Sequence, residues 1–213
     1  MRQTGSNMNF IRVGTEYGGW MINPDLIKEG TFVVSAGIGE DISFDQYLID
    51  KKNCKIIGID PTPKSHQYIE NFVNLKNFEL IKKALSSEDE QILKMFKNKN
   101  PNHVSESIFD THSSVNFFDS YYCETISLNK IFEQYKNISV VKMDIEGSEY
   151  DVINSIERVP ESVRQFCIEF HHFCTNKTID DTKNCILKIN NLGFKNFIEK
   201  PSTKELNEIT FWR

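Results

Sequence analysis

The stretch Thr31–Pro61, TFVVSAGIGEDISFDQYLIDKKNCKIIGIDP, constrains the chain most. It opens with Phe32-Val33-Val34, an apolar run too short for a helix and β-branched enough for a buried strand. Ser35-Ala36-Gly37-Ile38-Gly39 follows as a tight turn of small residues. After Glu40-Asp41, Ile42, Phe44, Tyr47, Leu48 and Ile49 approximate a helical face. Lys55-Ile56-Ile57-Gly58-Ile59 is a second apolar run, ending on Asp60. Strand, glycine turn, helix and acid-tipped strand together form a unit that binds the adenosine half of a nucleotide-like cofactor. Its glycines let backbone N–H groups approach the ligand, and its acid accepts hydrogen bonds from ribose hydroxyls. The alternative is a strand–turn–helix whose glycines serve packing alone.

The residues of the turn narrow the ligand. A dinucleotide fingerprint has a third glycine and seats a pyrophosphate on the helix N-terminus. Here Ile42 stands at that third position, and Glu40 and Asp41 put negative charge where the pyrophosphate would lie. That arrangement repels phosphate and suits a cationic ligand such as S-adenosylmethionine, which carries a ribose, a sulfonium and an ammonium.

Two other functions share the unit. One is a nicotinamide-dependent oxidoreductase, against which the missing glycine and the acid pair argue. The other is a non-catalytic binding module, which loss of the turn or of Asp60 would have indicated.

A length of 213 residues fits one domain, 1–213, with residues 1–30 as an N-terminal extension or lid. The net charge of −5 argues against a nucleic-acid partner held by a general basic field. No apolar segment approaches the roughly 18 residues that span a bilayer. The first residues lack the apolar core of a signal peptide. Five cysteines without C-x-x-C spacing read as reduced thiols in a cytoplasmic protein. The sequence assigns no oligomeric state.

In chain order, Tyr17-Gly18-Gly19-Trp20 suggests either a lid near the glycine turn or a terminal hairpin over the sheet edge. Residues 64–75 read as a helix, 78–85 as a third strand, and 103–122 as an irregular loop over a site. A second apolar strand, Ile138-Ser139-Val140-Val141-Lys142-Met143, ends in Asp144 and Glu146 and turns at Gly147 into a short helix. VRQFCIEFHH is a further strand, tipped by Glu169, His171 and His172. Strand–helix alternation implies a parallel sheet with right-handed crossovers, and the two last strands imply one antiparallel strand at or near an edge. In such sheets the site lies outside the C-terminal strand ends, where these polar residues converge.

VVKMDIEGSEYDVI resembles the signature of the FkbM-like family of S-adenosylmethionine-dependent methyltransferases. VVSAGIGEDISFD and IIGIDPTP are similar to that family's first two cofactor motifs, and CIEFHH to its later strand-end motif. The resemblance runs from about Tyr17 to the C-terminus. It implies the class I, Rossmann-like α/β fold: a mostly parallel seven-stranded sheet, helices on both faces and an antiparallel C-terminal strand. It also implies O-methylation of a sugar or another hydroxylated acceptor, free or in a glycan.

Cofactor contacts are then expected from Ser35, Ala36, Gly37, Gly39 and Asp41, from Asp60 on the ribose, from Ala84 beside the adenine, and from Asp144. Ser35 stands where methyltransferases generally carry an acid, which leaves Asp41 or Asp144 for the methionine ammonium.

A sugar hydroxyl is a poor nucleophile, so a base or a metal should help remove its proton. His171, Asp144 and Glu146 are the catalytic candidates, with His171 as a base titrating around pH 6–7. A structural His171 bonded to Asp144 or Glu146 is the alternative. Glu169, His172, Tyr17 and Trp20 are candidate acceptor contacts, although strand alternation turns His172 away from His171. Asp144, Glu146 and His171 could instead hold Mg²⁺ or Mn²⁺. Glu149 is expected to do no more than favour its helix N-terminus.

Overall fold

The computed structural model describes residues 8–71, 76–172, 174–201 and 207–213. A hairpin comes first, β1 (Ile11–Val13) with β2 (Trp20–Ile22). The Thr31–Pro61 unit follows as β3 (Phe32–Ala36), α1 (Ser43–Lys52) and β4 (Lys55–Ile59). Next are α2 (Pro63–Glu70), β5 (Phe78–Ile81), β6 (Ala84–Ser86), β7 (Ile92–Asn98) and β8 (Val115–Ser127). The chain continues through α3 (Leu128–Gln134), β9 (Ile138–Met143), α4 (Glu149–Ser155) and β10 (Gln165–Phe170). It closes with α5 (Ile179–Asn191), β11 (Asn196–Pro201) and β12 (Asn207–Trp212).

Seven strands form the main sheet in the order β11-β12-β10-β9-β3-β4-β5. All are parallel in direction except β12, which runs antiparallel between β10 and β11. Period-2 alternation assigns the faces. Val34, Ile57, Val141 and Ile168 enter a core with α3, α4 and α5. Their neighbours Val33, Ile56, Val140 and Cys167 enter a second core with Phe44 and Leu48 of α1 and with Val13, Trp20 and Ile22. The N-terminal hairpin therefore covers a face of the sheet, not its edge.

Two readings of the sequence differ. The expected third strand breaks at Lys82-Lys83, where Ile81 O accepts from both Asp60 N and Lys83 N. Beyond the break, β6 leaves the main sheet and pairs with β8. Most of the expected loop after residue 114 is strand β8, paired antiparallel with β7. The middle of β8 lies largely outside the cores, with Phe117, Phe118 and Tyr122 exposed. It therefore lacks the apolar alternation that marks a strand. The end of the expected helix, residues 72–75, and most of the turn after Pro201 lie outside the described residues.

The order of connection reverses between β3 and β9, and their C-terminal ends meet closely. Asp144 N donates to Ala36 O at 3.1 Å. Gly37 has φ +76°, and a Cβ there would meet Asp144 O at 1.7 Å. Gly30 has a similar φ of +72° with nothing near its missing Cβ. Gly30→Ala is thus expected to cost only backbone strain, about 1 kcal/mol. Gly37→Ala adds a backbone clash and is expected to cost about 3 kcal/mol or more. Paired denaturant unfolding of the two variants checks this; equal losses would remove the close approach as the reason for Gly37.

Candidate active site

The ends of β3, β4, β6, β9 and β10 open into one cavity of about 500 Å³. Its floor is the turn after β3. Asp60 is 3% exposed and closes that turn. One carboxylate oxygen accepts from Ile38 N at 2.8 Å and Gly39 N at 3.0 Å. The other accepts from Thr62 N and Thr62 Oγ1 at 2.8 and 2.7 Å. These four bonds use the capacity of a carboxylate. In this conformation, then, Asp60 shapes the turn instead of offering free lone pairs to a ribose.

Ser35 and Ala36 are buried beneath the floor, outside the cavity wall. Ser35 is turned to the buried Asp45 of α1, and Ala36 presents its carbonyl to Asp144 and Lys142. Gly37, Gly39 and Asp41 do line the cavity. Asp41 accepts from Ser43 N at 2.8 Å and from Thr15 Oγ1, so it ties the β1–β2 loop to the start of α1. Burial opposes ionisation of Asp41, but hydrogen bonds from Ser43, Thr15 and Gly18 hold its carboxyl below the usual range. Trp20 is a buried wall, whereas Tyr17 stands at the rim, 79% exposed. At the other end, Ala84 and Leu85 face Val104, Ser105 and Glu106 of the segment before β8. Glu106 accepts from Tyr121 OH at 2.7 Å.

Beside the floor stands a cluster built by a bent chain. After β9, Glu146 (φ +53°) and Gly147 (φ +107°) take left-handed conformations and swing the backbone into α4. Glu149, fully buried, secures the bend by accepting from Ile145 N at 2.9 Å and Gly147 N at 3.0 Å. It also receives His171 Nδ1–H at 2.9 Å. That fixes the ring with Nε2 towards Glu146 (3.4 Å), Asp144 (3.6 Å) and Glu169 (4.0 Å). His112 Nδ1 accepts from Ser114 N at 3.3 Å, and its Nε2 lies 3.1 Å from Glu146 Oε2.

His172 lies outside the cavity wall. It is buried, its Nδ1 3.3 Å from Thr182 Oγ1 of α5. As an acceptor contact it is therefore replaced by residues on the cavity side, consistent with strand alternation.

The family profile described as "Methyltransferase FkbM domain" matches residues 16–195. The chain belongs to the FkbM methyltransferase family. This membership makes it an S-adenosylmethionine-dependent methyltransferase and favours that reading over the oxidoreductase. No curated protein matches the chain.

Solved structures that it resembles are methyltransferases of low identity. A precorrin-6y C5,15-methyltransferase from Geobacter metallireducens shares 10% identity, with 88% of this chain and 82% of that one covered and a TM-score of 0.49. TrmK from M. capricolum, in complex with S-adenosylhomocysteine, shares 12%, with 88% and 64% covered and a TM-score of 0.48. An rRNA methylase from Streptococcus thermophilus shares 9%, with 89% and 90% covered and a TM-score of 0.47.

Within this FkbM domain the protonation pattern differs from the sequence expectation. Burial alone would lower the His171 pKa, but Glu149, Glu146 and Asp144 outweigh it and raise it well above the ordinary value. His171 is therefore an imidazolium at neutral pH, not a base titrating around pH 6–7. Burial raises Glu169 to about 7, helped by Asp144 and opposed by His171. Burial also raises Asp144, against Lys142 and His171. Glu146 goes the other way: against its burial, His112, His171 and Ser105 hold it at about 2.

The group whose ligand atoms could share a cation is Asp144, Glu169 and His171, all within 4.8 Å of one another. Glu146 falls outside it, engaged by His112. Sequence reasoning missed His112, Glu106 and the full role of Glu149. His112 lies more than thirty residues before Asp144, in a segment with no motif. Glu149 was visible in the motif, but its reach back to two backbone N–H groups follows only from the left-handed bend.

Proposed function

We propose that this domain transfers the methyl group of S-adenosylmethionine to a hydroxyl of a sugar, in a glycan or glycoconjugate. The observation that carries the reading is the carboxylate–histidine cluster of β9 and β10, which lines the same cavity as the glycine turn. The adenosine lies towards Ala84 and Leu85, and the sulfonium points towards Asp144 and Glu169. An acceptor hydroxyl beyond the methyl group then meets carboxylates that take its hydrogen bonds and its proton.

In the step, the acceptor oxygen would attack the methyl carbon in line and the carbon–sulfur bond would break, its electron pair leaving on the sulfur of S-adenosylhomocysteine as a neutral thioether. The hydroxyl proton passes to Glu169, whose pKa of about 7 suits a base at neutral pH. His171, held by Glu149, offsets the charge of the neighbouring carboxylates and keeps them oriented. Tyr17 and Trp20 stand where a sugar ring would pack. Residues 12–20 belong to the same catalytic unit as a wall of the cavity. Five cysteines, four of them buried, fit a cytoplasmic setting. Among the described residues no helix is long and apolar enough to cross a membrane.

A methyl-transfer assay over free sugars, nucleotide sugars, oligosaccharides and transfer RNA tests the reading. Oxygen-linked methyl on a carbohydrate is expected. Transfer confined to RNA would overturn the acceptor class, which the net charge of −5 disfavours. Mg²⁺ or Mn²⁺ on Asp144, Glu169 and His171 is the alternative means of activating the hydroxyl. Loss of turnover with chelator and its return with added metal would select it.

A further inference from the structure

Lys142 lies in the middle of the sheet, in register with Ser35 of β3 and Cys167 of β10. Its side chain emerges on the face covered by the N-terminal hairpin and ends in the cavity wall beside Gly37. The residue is 7% exposed. Nζ donates to Ala36 O at 3.2 Å and to Gly37 O, and lies 5.6 Å from the centre of the Trp20 ring. An ammonium has three N–H donors, so two carbonyls leave one for the cavity. Lys142 joins no ion pair among the described residues. The buried carboxylate on its own side, Asp45, is hydrogen-bonded to Ser35 and leaves Oδ1 without a partner. Asp45 and Asp144 act on Lys142 electrostatically, but no ion pair within 4 Å joins either to Nζ. A buried ammonium whose direct partners are carbonyls and an aromatic ring keeps a donor for an anion that meets it.

We propose that Lys142 anchors the carboxylate of the amino-acid tail of the bound donor, a role that rests on the S-adenosylmethionine reading above. The tail must pass Gly37 to bring the sulfonium to Asp144, and that path runs by Nζ. A single carboxylate suits the place better than a phosphate, because Asp41 and Asp144 share the same wall and would repel a dianion. The tail's ammonium is left to face those two acids. Lys142 therefore selects donors with an α-carboxylate.

The test is calorimetric binding of S-adenosylhomocysteine and of its decarboxylated analogue, which keeps the ammonium. The wild-type chain should prefer S-adenosylhomocysteine by roughly 10–100-fold, as a charge-assisted contact gives. Lys142→Met should abolish the preference and leave the analogue's affinity nearly unchanged, and Lys142→Arg should restore part of it. A parallel fall in both affinities would make Lys142 a tether of the turn and overturn the proposal. So would equal affinities in the wild-type chain, a result that needs no variant. If the wild-type chain binds neither compound, the donor reading itself fails, and this inference with it.

Discussion

Glu169→Gln should lower methyl transfer by roughly 10²–10⁴-fold, the range for loss of a general base, with affinity for S-adenosylhomocysteine nearly unchanged. The amide keeps the shape of the side chain and one acceptor oxygen but takes no proton. Wild-type activity should rise with pH through about 7 as Glu169 ionises. The sign follows from the burial of its carboxyl: below that pH the neutral form dominates and the hydroxyl has no base. His171 bends the profile down again at a pH well above the ordinary histidine value, where the imidazolium is lost. Rates across pH with saturating donor check both limbs. Full loss in Asp144→Asn together with normal turnover in Glu169→Gln would move the proton to Asp144.

Glu149→Ala should destabilise the fold by about 3–5 kcal/mol, the cost of breaking a buried charged pair. The carboxylate is fully buried, closes the Glu146–Gly147 bend through two backbone N–H groups, and holds His171. Alanine leaves all three donors without an acceptor at once. Glu149→Gln keeps one acceptor oxygen and should lose about half as much. Part of the stabilisation depends on pH. The raised His171 pKa contributes stability fully present below the ordinary value of 6.5 and lost as pH rises through the folded value. The gap between wild type and Glu149→Ala in denaturant unfolding should therefore narrow at high pH. A gap independent of pH would assign the loss to the backbone bonds alone.

These two residues also show what a sequence discloses. Strands β3, β4 and β9 were legible because each is a short β-branched run buried on both faces, β10 because it is a short, largely buried run with two phenylalanines, and their polar tips marked the site. The Lys142–Glu149 motif puts Asp144 and Glu146 at a strand end, where they converge with Glu169 and His171. Protonation was not legible. It depends on which carboxylates surround His171 and on the left-handed backbone at Glu146, a conformation that a non-glycine residue does not announce. Asp60 was found as the acid at the tip of β4, but its four bonds to the turn depend on distances that spacing alone does not supply. Strand β8 escaped because its middle carries no buried face, so neither of its sides is apolar enough to show period 2.

The most direct measurement is a crystal structure of the chain with S-adenosylhomocysteine. The expected density puts adenine beside Ala84 and Leu85, under the 103–115 segment, with the sulfur facing Asp144, Glu169 and His171. Adenine on the far side of Asp144, towards Tyr17 and Glu208, would contradict the assignment of donor and acceptor ends and with it the proposed direction of methyl transfer.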